Sequence, residues 1–278
     1  MNEQLQRAID VFKPWKELHC RMAWKPIVSE SPECSSISKF GGIPLLKAGE
    51  TWPVCSGCKQ PMQLFLQLDL SSVPSASPAY RQQGILQFYF CTSYEDCGNY
   101  EPFGEGMLVR VLEPNLVAST ETVVPENLDV FEASHIVDWE LFDDYPSGTE
   151  RTELGLEIEY PEGFDENGQT VTNLQWKEKE IVVKGLKEKV WNEETKEWEY
   201  SLEKIFGKAA TNDKLSGWPY WVQNVEYPVC PKCQSKMTYL FQIDSEDNVP
   251  FMFGDVGCGH ISQCPNHPEI VTFDWACC

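Results

Sequence analysis

The chain has 278 residues, of which 43 are acidic and 22 basic, for a formal charge of −21. Its apolar share of 42% and aromatic share of 12% supply a core and exclude a disordered chain. The charge excludes the basic footprint of a nucleic-acid binder and adsorption to anionic lipid.

Residues 1–15 lack the apolar run of a signal peptide, and no stretch reaches the ~18 apolar residues of a membrane span. The expected compartment is the cytoplasm, where 12 cysteines read as metal ligands or buried thiols rather than disulfides.

Four stretches follow in chain order. Residues 1–37 are a lead-in with one helix, Asn2 to Phe12, stopped by Pro14. Residues 38–112 form a first β repeat. Its strand Met62 to Leu70 places Met62, Leu64, Leu66, Leu68 and Leu70 on one face, with Gln63, Gln67 and Asp69 opposite. An uncharged loop rich in serine and proline, Ser71 to Ala79, reads as a surface excursion. Strands Gly84 to Cys91 and Met107 to Leu112 come next.

Residues 113–203 are an acidic, β-rich middle with 24 acidic and 7 basic side chains. Glu153 to Tyr160 alternates at period two, a strand with one wet face. Asn167-Gly168 marks a tight turn, Gln169 to Trp176 a strand, and Trp191 to Trp198 a hairpin. This charge reads either as a solubilising surface or as a docking face steered toward a basic protein. Residues 204–278 form a second β repeat, with strands at Met237 to Asp244 and Ile270 to Cys277. The expected fold is all-β and mainly antiparallel, with a short N-terminal helix and two pseudo-symmetric, duplicated β units.

The duplication rests on one offset. Gly42, Pro44, Pro53, Val54, Cys55, Cys58, Met62, Gln67 and Asp69 recur 175 residues later, so 9 of 28 positions agree between 42–69 and 217–244 without a gap. Gly84 to Cys91 aligns with Gly257 to Cys264 at an offset of 173. Each half thus offers four ligands: Cys55, Cys58, Cys91 and Cys97 in the first, Cys230, Cys233, Cys264 and His267 in the second. Paired Cys-x-x-Cys knuckles with later Cys or His suit tetrahedral zinc, one or two ions in a structural role. Cys258 and His260 compete with Cys264 and His267, because strand alternation from Gly257 puts all of Cys258, His260 and Cys264 on one face. Cys20, Cys34, Cys277 and Cys278 show no ligand pattern, and the last two close an apolar segment that reads as buried.

Catalytic signatures are missing. No nucleophile elbow, phosphate loop, dinucleotide fingerprint or His-Glu-x-x-His occurs, and the four histidines offer at most a spatial Cys-His dyad through His135. Polar residues near the strand ends, Gln67, Asp69, Gln242, Asp244 and Asp255, are the candidates for lining a cleft between the repeats.

Several ordered motifs carry a resemblance. Phe40-Gly41-Gly42-Ile43-Pro44, Leu66-Gln67-Leu68-Asp69, Asp143-Asp144-Tyr145-Pro146, Gly217 to Gln223 and Phe253 to Gly257 resemble the bacterial YwqG family, of unknown function, across residues 38–278. The knuckles are similar to those of the more distant programmed cell death protein 2 relatives. That resemblance implies a duplicated all-β unit with exchanged strands, and for the eukaryotic branch a chaperone-like role toward a ribosomal protein. The expected function is therefore a zinc-stabilised cytoplasmic module that binds a basic protein. The alternative is an enzyme of undefined class working between the repeats.

Overall fold

The computed structural model describes residues 3–31, 34, 36–81, 83–93, 97, 101–114, 117–160, 168–186, 189–192 and 197–278. Its helices are α1 (Glu3–Leu18), α2 (Gly148–Glu153) and α3 (Ser201–Phe206). The strands of the first half are β1 (Arg21–Ser29), β2 (Lys39–Phe40), β3 (Gln63–Asp69), β4 (Ile85–Phe90), β5 (Met107–Leu112) and β6 (Ser134–Asp144). Then come β7 (Leu156–Glu159), β8 (Val171–Trp176), β9 (Lys179–Lys184), β10 (Lys189–Asn192) and β11 (Glu197–Tyr200). The last are β12 (Lys214–Ser216), β13 (Thr238–Asp244), β14 (Cys258–Gln263) and β15 (Val271–Ala276). The fold is mostly antiparallel β with one long N-terminal helix.

Two compact units form, and they cut across the four stretches read from the sequence. One gathers Met1–Met22, Asp143–Ala210 and Gly217–Val225; the other gathers Ala23–Phe142, Thr211–Ser216 and Glu226–Cys278. The acidic middle is shared between them. The first unit carries 20 acidic and 13 basic side chains, the second 23 and 9.

In the first unit α1 runs on through Pro14 to Leu18, past the stop expected there. An internal proline costs a helix about 3 kcal/mol, but Phe12 and Trp15 on either side are fully buried and meet the Phe206 ring edge-on, both at 5.3 Å. That packing offsets the lost hydrogen bond. Asn2 lies outside the described residues. The β7-β8-β9 sheet supplies Leu156, Leu174, Trp176, Ile181 and Val183 to the same core. Glu153, expected to start a strand, instead ends α2; the alternation begins at Leu156, where Glu157 and Glu159 are exposed. In the β10–β11 hairpin Trp191 faces Trp198, while the turn at 193–196 lies outside the described residues, as does Asn167 of the other expected turn.

The second unit is one ten-stranded sheet of order β15-β14-β13-β12-β1-β6-β2-β3-β4-β5. Its terminal strands β5 and β15 pack against each other, so the sheet curls nearly into a barrel. The order reads alike from both ends. Lys39 and Phe40 pair with Gln67 and Leu66; 175 residues on, Lys214 and Leu215 pair with Gln242 and Phe241. Both β3 and β13 carry a bulge at matching places, Leu64/Leu66 and Tyr239/Phe241. The central strands are exchanged: β1, preceding the first hairpin, pairs with β12, while β6 pairs with β2.

The bulge explains a departure from simple alternation. β3 is buried on both faces. Phe65, Leu66 and Leu68 enter the main core, but Leu64, before the bulge, packs with Met62 and Tyr89 in a separate cluster. An extra residue in one strand re-aims the side chains beyond it. The main core joins both halves through phenylalanines: Phe88 stacks on Phe273 at 4.1 Å, and Phe65 meets Phe251 at 5.1 Å. The loop Ser71 to Ala79 is on the surface at Ser71, Ser72, Ser75, Ala76 and Pro78, but it is also anchored inward. Val73 and Ala79 reach this core, and the Ser77 hydroxyl bonds that of Ser216 at 2.9 Å. Gly84 and Gly257 open β4 and β14. A Cβ there would lie 2.1 Å from the Leu112 carbonyl oxygen and 2.3 Å from that of Phe253, so both positions need glycine.

Candidate metal centres

Each Cys-x-x-Cys lies in a turn just before the first strand of its hairpin, and the two turns share their backbone bonding. Cys55 N–H donates to Gln60 O at 2.8 Å, and Lys59 N–H returns to Cys55 O at 3.0 Å. In the second turn Cys230 N–H donates to Ser235 O at 2.9 Å and Gln234 N–H to Cys230 O at 2.9 Å. Lys59 and Gln234 both take a positive φ, 63° and 60°. Short bridges close the turns, Val54 with Pro61 and Val229 with Lys236. The proline two residues before each knuckle accepts the amide of the methionine opening the strand, Pro53 from Met62 and Pro228 from Met237.

The later ligands arrive from the far end of the hairpin. Cys91 follows β4 and Cys264 follows β14, each fixed by its backbone N–H: to Gly106 O at 2.8 Å and to Ile270 O at 3.0 Å. Cys97 N–H donates to Ser93 O at 3.1 Å. The result is two groups whose ligand atoms all lie within 4.8 Å of one another: Cys55, Cys58, Cys91, Cys97, and Cys230, Cys233, Cys264, His267.

The spacings fit a bound cation. Cys55 and Cys97 sulfurs are 3.5 Å apart, as are Cys58 and Cys91, and Cys233 and Cys264. A disulfide needs about 2.05 Å, whereas the edge of a zinc–thiolate tetrahedron with bonds of about 2.3 Å is about 3.8 Å. His267 presents Nδ1 to the sulfurs of Cys264 and Cys230, at 3.5 and 3.8 Å. That nitrogen is the atom a bound cation would meet. Asn266 Nδ2 donates to Cys233 Sγ at 3.7 Å, an outer contact that orients a ligand.

Thiolate formation is uneven within each group. Burial works against the Cys55 thiolate, but backbone N–H groups of Cys58 and Gly57 and the Cys97 thiol outweigh it and bring this thiol below its usual range. The Ser235 hydroxyl and N–H bring Cys233 down to about 5. Burial pushes Cys91 up. A cation would drive all of them to the thiolate.

Around the first group a small core of Met62, Leu64 and Tyr89 is buried with Cys55, Cys91 and Cys97. Around the second, among the described residues, Met237 is buried with Cys230 and Cys264, and Ile270 packs against them. Both clusters stand apart from the main core.

The competing pair lies elsewhere. Cys258 opens β14, at the opposite end from Cys264, and His260 sits mid-strand beside Asp274, their Nδ1 and Oδ2 atoms 3.6 Å apart. Neither belongs to the converging group. The face argument fails because every residue of β14 is buried, so neither face is singled out.

The cleft candidates are occupied with structural bonds. Gln67, buried, accepts Leu45 N–H and donates to Ile37 O, each at 2.8 Å. Gln242, also buried, donates to Asn212 O at 2.9 Å. Asp69 caps its own turn by accepting Ser71 N–H at 2.9 Å, and Asp244 accepts Ser245 N–H at 3.0 Å. Asp255 is exposed, its carbonyl accepting Cys278 N–H at 3.4 Å. His135 Nδ1 meets Ser36 O at 2.8 Å, so it serves the sheet rather than a thiol. Cys278 is exposed and Cys277 half-buried, against the expectation of burial.

Sequence reasoning passed over Asp213. It is fully buried, and its Oδ1 accepts Asp244 N–H at 2.6 Å, the place that Ser38 Oγ fills for Asp69 N–H at 3.0 Å. Ser38 and Asp213 are again 175 positions apart, a signal present in the sequence but hidden by the change of residue type.

A family model, described as a domain of unknown function and designated DUF1963, matches residues 38–263. No match was found among curated proteins.

Proposed function

The chain belongs to the DUF1963 family of unknown function, and from that premise we propose a zinc-stabilised module whose acidic surface engages a basic protein. The observation carrying the metal half is the closure of both sites. Four protein donors converge in each, at the same place on two hairpins, with only small apolar clusters beneath. Four thiolates, or three with an imidazole, fill a tetrahedron and leave no position for water. Bound zinc supplies cross-linking there: Cys55 and Cys58 hold the start of β3 to Cys91 and Cys97 beyond β4, and Cys230 and Cys233 tie β13 to the Cys264–His267 turn.

The protein-binding half rests on charge. Acid exceeds base in both units, so a basic partner would be steered from a distance. The matched registers, bulges and knuckles support descent of the two halves from one duplicated unit. The exchange of β1 and β6 suits the strand-swapped arrangement implied by the programmed cell death protein 2 resemblance. The motifs at Asp143 to Pro146 and Gly217 to Gln223 support a kinship with YwqG-type proteins, and the proposed compartment is the cytoplasm.

The test is affinity capture by zinc-loaded full chain from a native lysate at low and moderate salt. Recovery of one basic protein, released as salt screens the charges, supports the reading. Recovery of nothing, or of a partner indifferent to salt, removes the acidic-surface half and leaves the metal half to its own measurement.

A further inference from the structure

Two cysteine pairs occupy the same place in the two halves. Cys58 lies in the first knuckle turn and Cys91 just beyond β4. Their counterparts, 175 and 173 residues on, are Cys233 in the second turn and Cys264 just beyond β14. The sulfurs of each pair are 3.5 Å apart. Exposure matches as well: Cys58 and Cys233 are partly exposed, whereas Cys91 and Cys264 are buried. The contact of Cys233 Sγ with Asn266 Nδ2 lies at the protein surface. Cys55 and Cys97 are equally close but both buried, and Cys230 faces His267 where a fourth cysteine would stand.

A cysteine that solvent reaches, held against a second one able to resolve the first product, is the arrangement of an oxidant-sensitive thiol. Both members are thiolates when a cation is bound, and the thiolate is the nucleophile. For a disulfide the separation of 3.5 Å has to close to about 2.05 Å.

Building on the zinc reading above, we propose that Cys58–Cys91 and Cys233–Cys264 are oxidation sites for a small peroxide, each converted to a disulfide that replaces the metal as cross-link. The Cys58 or Cys233 thiolate attacks one peroxide oxygen. The O–O bond breaks, a sulfenic acid forms and hydroxide leaves. The Cys91 or Cys264 thiolate then attacks that sulfur, forming the S–S bond and releasing a second hydroxide. Two thiolates thus lose two electrons, which reduce the peroxide, and solvent protonates both hydroxides to water. Two donors remain in each centre, Cys55 with Cys97 or Cys230 with His267, where a closed tetrahedral site needs four. Loss of zinc follows. The new bonds still tie the turn before β3 to the end of β4, and the turn before β13 to the end of β14, so both hairpins stay closed.

The test adds hydrogen peroxide to the untagged full chain once its zinc has been counted. A zinc-binding dye should report complete release of the metal, at the rate at which disulfide forms. Peptide mapping without reduction should show Cys58 joined to Cys91 and Cys233 joined to Cys264. The oxidised protein should melt above reduced protein stripped by a chelator, and a thiol reductant with added zinc should restore the starting state. In Cys264→Ser the sulfenic acid loses its resolving partner, so dimedone should label Cys233. Pairing within a knuckle, Cys55 to Cys58 or Cys230 to Cys233, overturns the proposal. So does zinc that stays bound at peroxide levels that oxidise the exposed Cys278. Protein without zinc as purified overturns the metal reading instead, and the same peptide map on that protein still decides the pairs. Should Cys264→Ser misfold, the wild-type map is sufficient.

Discussion

The Asp144 carboxylate accepts the backbone N–H of Trp218, 74 residues away, at 2.8 Å, with both residues buried. Its other oxygen accepts the amides of Tyr145 and Ala210, each at 3.0 Å. One side chain thus fastens the end of β6, the stretch after α3 and the Gly217–Val225 segment of unit 1. Trp218 is held further by its Nε1–H to His19 O at 2.8 Å and by Arg21, stacked 3.3 Å from its ring centre. Trp221 Nε1–H reaches the buried Glu150 Oε2 at 2.6 Å. The motifs Asp143 to Pro146 and Gly217 to Gln223 meet here as a structural lock.

Asp144→Ala should leave three amides unmet and destabilise the protein by about 3 kcal/mol or more, counting about 1 kcal/mol or more for each. Asp144→Asn keeps one acceptor oxygen for Tyr145 and Ala210 but turns an NH₂ toward Trp218, so its cost should fall between. Chemical denaturation followed by tryptophan emission gives the order wild type, Asn, Ala. An Asn variant as unstable as the Ala variant would show that Oδ1 contributes nothing.

Metal content is the most direct check on the two centres. Elemental analysis of untagged protein purified without chelator should give one to two equivalents of zinc per chain. Metal-free protein whose thiols all react freely under native conditions would end the assignment.

Loss of a ligand should then act on folding rather than chemistry, because metal affinity and folding free energy are linked. Cys230→Ser should lower the melting temperature by about 6–12 °C, the equivalent of about 3 kcal/mol in a chain of this size. Cys55→Ser should cost less. The first centre retains a buried cluster with Met62, Leu64 and Tyr89, while at the second a smaller one, Met237 with the partly buried Ile270, lies beside the cysteines. A chelator should lower the wild-type transition in the same direction. A Cys230→Ser protein that has lost its zinc yet melts like the wild type would show that the metal does not brace the fold.

The knuckles were legible because their chemistry is local: two cysteines, a preceding proline and a strand lie within 20 residues. The offset of 175 also relates two observed registers, Lys39 with Gln67 and Lys214 with Gln242. Other features were not local. Pro14 stays helical because Phe206, far along the chain, covers the turns around it. The bulges in β3 and β13 break alternation through pairing with β4 and β14, so Gln63 and Gln67 are buried where period two alone suggests a polar face. Cys258 and His260 looked equivalent to Cys264 and His267 because residue type carries no record of which strand end holds the ligands.

Asp244 supplies a pH signature. Burial raises its carboxyl to about 6, only partly countered by the Ser245 N–H. The folded state therefore binds this proton more tightly than the unfolded chain, whose value is 3.8. Stability from this group falls as pH rises from about 4 through 6, and the penalty is complete above that. Asp244→Asn should thus raise the melting temperature at pH 7.5 by about 2–4 °C, taking about 1 kcal/mol after discounting for a half-exposed carboxyl. The gain over wild type should shrink toward pH 4, where the wild-type carboxyl is itself neutral. Measuring the difference between the two proteins cancels acid effects on the thiolates. A gain that persists unchanged at low pH would point to packing instead of charge.

The exchange of β1 and β6 has a consequence for the order in which the chain becomes a protein. β1 is complete by Ser29, but its neighbour β12 starts at Lys214. β2 likewise waits for β6 before its second edge is covered. Emerging from the ribosome, the first hairpin with its knuckle can close on local contacts, yet the sheet around it keeps open edges until most of the chain has been made. Pairings so distant in sequence slow folding, and open edges invite other chains meanwhile. A fragment ending at Leu112 would own a knuckle and no finished sheet; what it could complete is what lies close in sequence, the β3–β4–β5 pairings and the cysteine turn before them.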